Sequence, residues 1–138
     1  MYDIADGLMQ RLQAVQNAAA RLVTGTWRRD HITPVLRQLH WLPVRQRVNF
    51  KLAVLVFKAL HSLAPCNLVD DCQLVTDAGR RRLRSSDAAT CVLQHTSTRF
   101  GDRAFGVSRP SVWNSLPTEL QSHLSLGQFR RALKTYLF

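Results

Sequence analysis

Acidic residues are scarce in this chain, and their scarcity excludes chemistry based on clustered carboxylates. The 138 residues include 9 aspartates and glutamates against 19 lysines and arginines, for a formal net charge of +10. A two-metal polymerase or nuclease site needs several carboxylates close together. Asp70-Asp71 is the one adjacent pair, and it follows Leu68-Val69 in a setting typical of a solvated helix end. The sequence therefore predicts no metal site.

The motifs of other catalytic chemistry are missing too. The sequence has no glycine-rich phosphate loop, no His-Glu-x-x-His and no Gly-x-Ser-x-Gly, and its five histidines are scattered. Each of those patterns fixes a phosphate, a metal ion or a nucleophile at a defined turn or helix face. We therefore expect a chain that is not an enzyme and holds no cofactor.

Cysteines and long apolar runs are also few. The three cysteines form no Cys-x-x-Cys pair, and their odd count favours a reduced, intracellular setting, nucleus or cytoplasm alike. We expect Cys66 and Cys72 to be buried as small apolar residues rather than to bind zinc. No apolar run reaches the ~18 residues of a membrane helix, and residues 1–7 lack the basic flank and apolar centre of a secretory signal. We therefore expect no membrane partner.

Basic residues, in contrast, are abundant, and arginine supplies 16 of the 19. A guanidinium group binds phosphate through two hydrogen bonds and stacks on bases, so this bias favours an RNA or DNA backbone as partner. The candidate contacts are Arg80, Arg81, Arg82 and Arg84, supported by Arg28, Arg29, Arg47, Lys51, Lys58, Arg130, Arg131 and Lys134. Trp27, beside two of these arginines, is a candidate for base stacking. The alternatives are a ribosomal-like or merely basic surface, and a fragment whose partner domain is acidic.

Residues 8–24 predict an amphipathic helix. Its apolar residues follow a 4-3-4-3 spacing that keeps them on one face. They are Leu8, Leu12, Val15, Ala19 and Leu22, with Gln10, Gln13, Asn17 and Arg21 off the stripe. Asp6 is the expected cap and Gly25 the expected stop. The run is too short to establish a coiled coil.

Residues 43–62 predict the most apolar helix, which Pro43 can open. Apolar side chains cover nearly its whole circumference, so this helix should be central and contacted on several sides. Arg47, Lys51 and Lys58 share a strip of about 40° through which the helix should reach water. Trp41 and Trp113 are expected to fill the core.

Shorter elements are predicted on both sides of this helix. Thr33 should cap a helix over 33–40, with Pro34 in its first turn, and one more turn is expected at 67–72. Residues 89–97 and 103–108 are candidates for a small hairpin with a turn at Gly101-Asp102.

The C-terminal third predicts two further helices. A short one starts at Ser108 and stops before Pro117. A capping-box pattern at Ser125 and Gln128 opens a terminal amphipathic helix. Its predicted apolar face consists of Leu126, Phe129, Ala132, Leu133, Tyr136 and Leu137.

The predicted fold is mostly α, a small helical domain around the helix at about 43–62, with a β-hairpin near 89–108 left open. Residues 1–72 form the N-terminal helical part and 73–88 a basic loop. Residues 89–138 form the C-terminal part, and the three parts belong to one domain.

Seven short segments, in this order, resemble a known family. They read LQAVQNAAARLVT (12–24), HITPVL (31–36), LHWLPV (39–44), FKALHSLAP (57–65), GDRAF (101–105), WNSLP (113–117) and FRRALKTYLF (129–138). Over about residues 10–138 the chain resembles the extreme C-terminal region of the polyprotein of LINE-type, non-long-terminal-repeat retrotransposons of animals. In that family this region follows the reverse-transcriptase fingers, palm and thumb.

The resemblance implies a post-thumb accessory domain near template RNA or target DNA. The family's palm motif, Phe-Ala-Asp-Asp or similar, and its endonuclease residues have no counterpart in this sequence, so no catalytic residue is carried over. The expected function is that of a non-catalytic, nucleic-acid-binding remnant of an RNA-directed DNA polymerase. One alternative is an interaction module that packs on the polymerase domains or self-associates through exposed apolar helix faces. The other is a translated element fragment with no selected function.

Overall fold

The computed structural model describes residues 6–69, 72, 74–75, 90–93, 105–122 and 125–138. These residues form seven helices: α1 (Asp6–Thr24), α2 (Ile32–Gln38), α3 (Val44–Leu60), α4 (Cys66–Val69), α5 (Phe105–Asn114), α6 (Thr118–Gln121) and α7 (Leu126–Leu137). No described helix is long and apolar enough to cross a membrane. The extended backbone in the described ranges forms one isolated antiparallel bridge, between Leu74 and Cys91. The predicted mostly-α fold class is confirmed.

Helix α3 is the centre of the fold, as its all-round apolar character predicts. It contacts α1, α4, α5 and α7. Its buried residues are Leu52, Ala53, Val54, Val56, Phe57 and Ala59. Three aromatic rings join the helices around it: Phe57 stacks on Phe129 of α7 at 4.4 Å, and Trp113 of α5 lies 5.9 Å from Phe129. Because apolar burial is the main favourable term in folding, this cluster is the principal core.

A second, smaller core lies between α1 and α2. Ala20, Val35 and Leu36 are buried in it, and Trp41 packs against them. Trp41 is half-buried, whereas Trp113 is 1% exposed in the principal core. Both tryptophans therefore contact a core, as predicted, but Trp41 lies at the edge of the smaller one.

Helices α2 and α3 end in the same way, at residues other than glycine. His40 and Ser62 have φ values of 54° and 56°. In both, the N–H of the following residue donates to the carbonyl five residues earlier, at 2.8 Å and 2.7 Å. This is the Schellman arrangement, which usually has glycine at the left-handed position. Helix α1 ends with glycine there: Gly25 has a φ of 67°, as expected of a stop signal.

Two helix starts differ from the prediction. Helix α2 begins at Ile32 with His31 as its N-cap, so Thr33 lies inside the first turn and does not cap it. Pro34 occupies that first turn as predicted, but a proline there does not determine which residue is the cap. The terminal helix starts as predicted, with the Ser125 hydroxyl and the Gln128 side chain forming a reciprocal capping box.

The predicted hairpin near 89–108 is wrong in its second strand. Helix α5 begins at Phe105, so residues 105–108 are helical. Cys91, in the first predicted strand, pairs with Leu74 instead. A short apolar run does not distinguish strand from helix by its spacing, which explains the error. The proposed turn at 101–102 lies outside the described residues.

Most of the predicted basic loop, 73–88, also lies outside the described residues, so the division into three parts stays a prediction. At the end of the first part, Cys66–Val69 forms the single turn of α4. This turn starts one residue before the predicted turn at 67–72.

Candidate nucleic-acid interface

The turn after α1 presents Trp27 and two arginines to solvent. The Trp27 backbone N–H donates to Asp30 Oδ2 at 3.1 Å, and the Asp30 N–H donates to the Trp27 carbonyl at 3.1 Å. These reciprocal bonds define the turn while its side chains stay outside: Trp27 is 81% exposed, and Arg28 and Arg29 are exposed. An exposed indole beside cations is the arrangement that stacking on a nucleobase requires.

A cavity of about 860 Å³ lies beside this turn, and the C-terminal half of α1 forms its wall. Two guanidinium groups, those of Arg21 and Arg28, line it together with the Trp27 indole. Arg21 Nε is buried without a hydrogen-bond partner, and a buried unpaired donor is costly. An anionic or carbonyl acceptor bound here would satisfy it. The sequence pattern places Arg21 only among the off-stripe residues of α1.

The predicted basic strip of α3 lies at the surface. Arg47 and Lys51 are exposed and Lys58 is half-buried. Arg45 is the only other exposed residue of α3. The strip is therefore where this central helix reaches water, in agreement with the 3.6-residue periodicity.

Helix α7 presents a second basic face. Arg130 and Arg131 are exposed and Lys134 is half-buried, while Phe129 and Leu133 on the other side are fully buried. The side chains that could contact a phosphate backbone are thus directed away from the core. The strongest sequence candidate, the cluster Arg80, Arg81, Arg82 and Arg84, lies outside the described residues.

Within the described ranges, carboxylates do little to neutralise these bases. The acidic residues within the described ranges are Asp6, Asp30 and Glu119. Among these residues one ion pair forms, between Arg45 of α3 and Asp6 of α1. No described carboxylate pairs with Arg28, Arg47 or Arg130. These side chains therefore add positive charge to the surface, which attracts polyanions over about a Debye length, ~8 Å at physiological salt.

The apolar stripe of α1, named here the α1 seam, is the clearest departure from expectation. Its members are Leu8, Leu12, Val15, Ala19 and Leu22. Leu12 is 52% exposed, Val15 68% and Leu22 86%. The residues that α1 buries are Met9, Gln16 and Ala20. The buried face lies about 100° around the helix from the seam, so the seam is left at the surface.

Two glutamines explain why α1 is rotated in this way. Gln16 Nε2 donates to the Leu42 carbonyl at 2.9 Å, and Gln13 Oε1 accepts the Val44 backbone N–H at 2.8 Å. Val44 opens α3, and its N-cap Pro43 has no side chain that could accept that N–H. Gln13 therefore caps α3 from a neighbouring helix. Periodicity treats glutamine as solvent-facing, so it could not find this arrangement.

A buried cation is a second feature that sequence reasoning missed. Arg109, expected only at the start of a short helix, is 1% exposed, and its Nη1 lies 3.4 Å from the Leu68 carbonyl. Its charge acts to lower the pKa of the Cys91 thiol, but burial and the nearby Cys72 outweigh it and raise that pKa from 9.0 to about 12. Cys91 is therefore a neutral core thiol.

Burial was expected of Cys66 and Cys72, and the structure shows it for one of them. Cys72 is buried, but Cys66 is exposed at the start of α4. In the part of the chain that the structure describes, no three histidine, cysteine or acidic side chains come together as metal ligands would.

No family model, no curated protein and no solved structure matches this chain.

Proposed function

We propose that this chain is a non-catalytic nucleic-acid-binding domain that descends from the C-terminal region of a retrotransposon reverse transcriptase. The observation that carries the proposal is the set of exposed bases on three elements, with a single ion pair among the described residues. The segments that resemble LINE-type polyproteins supply the proposed origin. Contacts of this kind are directed to the phosphate backbone and carry little sequence information.

The test is a titration of labelled RNA and DNA oligonucleotides at several salt concentrations. If about five phosphates of a duplex are neutralised, log K against log salt should fall with a slope near −4.5. A variant with alanine at Arg80, Arg81, Arg82 and Arg84 should bind more weakly with a shallower slope. A flat salt dependence of the wild-type chain would refute the proposal.

A charge-matched control separates the proposed surface from net charge. Arg28→Ala/Arg29→Ala removes two bases of the proposed surface. Arg37→Ala/Arg45→Ala removes two exposed bases outside it, whose guanidinium groups bond the Phe138 carbonyl and Asp6. The first pair should weaken binding more than the second. Equal losses would mean that only the total charge matters.

Trp27 supplies a test of single-strand preference. Stacking on an aromatic side chain contributes about 1–3 kcal/mol per base, so Trp27→Ala should weaken binding of single-stranded RNA or DNA about tenfold. Binding of duplex, whose bases are not free to stack, should change little. An equal loss on both substrates would assign Trp27 to the fold of the turn instead.

A second candidate function, an interaction module, is favoured by the α1 seam. An isolated chain that exposes this seam should bind an apolar reporter dye, and Leu12→Gln/Val15→Gln should reduce the dye fluorescence. A wild-type chain that binds no dye would show that the seam is covered within the chain, and this candidate would fail.

A further inference from the structure

The α1 seam is an extended apolar surface. From Leu8 to Leu22 it spans about 21 Å at 1.5 Å per residue, roughly four turns. Leu8 and Leu12 are each 52% exposed, Val15 68% and Leu22 86%, while Ala19 between them is half-buried. Single exposed leucines are ordinary, but a continuous stripe of them marks a surface made for contact.

The surface beside the seam is concave. A groove of about 610 Å³ lies between α1 and the start of α3. Leu12, Val15 and Ala19 line one side of it, and Trp41 and Val44 line the other. Gln16 also lines the groove, and its buried Oε1 has no hydrogen-bond partner. An apolar groove with walls from two elements fits a helix laid along it, which is a common mode of peptide recognition.

Among the described residues, the charges around this groove have one sign. Arg47 of α3 lines it. Arg11 is exposed and lies next to the seam on the helix surface, about 20° from Leu22. The one described acidic residue of α1, Asp6, faces away from the seam and pairs with Arg45. Complementary charge determines which partner docks in a given orientation, so the partner should be acidic along its edges.

We propose that the groove between the α1 seam and the start of α3 binds an amphipathic helix with acidic residues beside its apolar stripe. This inference rests on the second candidate function. A second copy of the chain fits less well, because its own seam is also flanked by arginines and each chain carries a net charge of +10. A flat lipid surface would leave the concave wall at Val44 unfilled.

The probe is a synthetic helical peptide of about 18 residues, with leucine along one face and glutamate on both flanks, titrated into the full chain by fluorescence anisotropy. One control peptide carries lysine in place of glutamate, and the other has the same composition in scrambled order. We expect the glutamate peptide to bind at least tenfold more tightly than either control. Leu12→Gln/Val15→Gln should weaken it about tenfold, since central apolar contacts dominate such interfaces.

A matched variant controls for general effects on α1. Ala14→Gln/Ala18→Gln changes two exposed residues of the same helix that lie outside the seam, and it should leave the peptide affinity unchanged. Arg11→Glu/Arg47→Glu reverses the rim charge and should invert the preference, so that the lysine peptide binds more tightly. A preference for the glutamate peptide that survived this change would show that Arg11 and Arg47 do not select the charge of the partner.

Four outcomes would overturn the inference. They are equal binding of the glutamate and lysine peptides, no binding of the glutamate peptide, a concentration-dependent dimer in sedimentation that Leu12→Gln/Val15→Gln dissolves, and binding to phosphatidylserine vesicles that the same variant abolishes. Dye binding and nucleic-acid titration of the wild-type chain, run in parallel, separate these failures. Absent peptide binding with dye binding intact rejects the acidic helix alone, and absent dye binding rejects the interaction module itself.

Discussion

Helices α1 and α7 have similar amphipathic sequences but opposite environments. Both predict one apolar stripe opposite a polar face. In α7 the stripe is buried, with Phe129 and Leu133 fully inside and Tyr136 the one exposed member. In α1 the stripe faces water, and Gln16 lies inside. An apolar stripe therefore predicts that a contact exists, but it does not show whether the partner belongs to the same chain.

The test with the largest expected effect removes one apolar side chain from each of these two helices. Phe129→Ala empties the centre of the principal core and should lower the free energy of unfolding by about 3–5 kcal/mol. Val15→Ala removes an exposed side chain and should change it by less than about 0.5 kcal/mol. Urea unfolding followed by helical circular dichroism measures both. A loss at Val15 comparable to that at Phe129 would mean that the seam is buried in solution.

The next test concerns the polar residues that attach α1. Gln16→Ala removes the bond to the Leu42 carbonyl and leaves that acceptor unpaired, so stability should fall by about 1–2 kcal/mol. Gln10→Ala, on the exposed side of the same helix, should have almost no effect. The same unfolding assay applies. If both changes were neutral, the rotation of α1 would not depend on this glutamine.

The third test compares the residues at which α1 and α3 end, a glycine in α1 and a serine in α3. Gly25→Ala places a side chain at a φ of 67° with nothing within 4 Å, so only the backbone is strained, and stability should fall by about 1 kcal/mol. Ser62→Gly relieves the same strain at the end of α3 and should raise stability by up to about 1 kcal/mol. A gain at Gly25→Ala would contradict the left-handed conformation there.

The smallest effect is pH-dependent and concerns Cys91, in the principal core. Its pKa is raised to about 12 in the folded chain from an ordinary 9.0. The unfolded chain therefore loses this proton first as pH rises, and stability falls from about pH 9 toward 12. At pH 9 the loss relative to pH 7 should be about 0.4 kcal/mol. Cys91→Ala should lack this part of the decline, and an identical pH dependence in both proteins would contradict the burial of the thiol.

The parts of the fold that could be predicted are those where one strong local signal acts alone. The central helix, its basic strip and the capping box at Ser125 follow from periodicity and terminal residues. The predictions of the start of α2 and of a strand at 103–108 were wrong, because the sequence signals there are short and several conformations share them. Arg109 could not be found, because charged residues are rarely buried and no pattern distinguishes the exceptions.

The candidate site likewise has features that the sequence could predict and features that it could not. The exposure of Arg47, Lys51 and the α7 bases follows from their positions opposite apolar residues. The cavity at Arg21 and the groove at Val44 could not be predicted, because each depends on which way α1 is rotated. Two hydrogen bonds between side chain and backbone, separated by 26 and 31 residues in sequence, favour that rotation.

The capping of α3 by Gln13 has a consequence for native-state fluctuations. When α1 detaches, the Val44 amide loses its acceptor and the first turn of α3 frays with it, while the stacked rings of Phe57 and Phe129 hold the rest of that helix. Amide hydrogen exchange at Val44 should therefore report the opening of α1, at a lower free energy than exchange in the middle of α3. A ligand that occupies the seam would slow both helices' exchange together. The first turn of α3 would then form one cooperative unit with a helix that ends at Thr24, twenty positions before Val44.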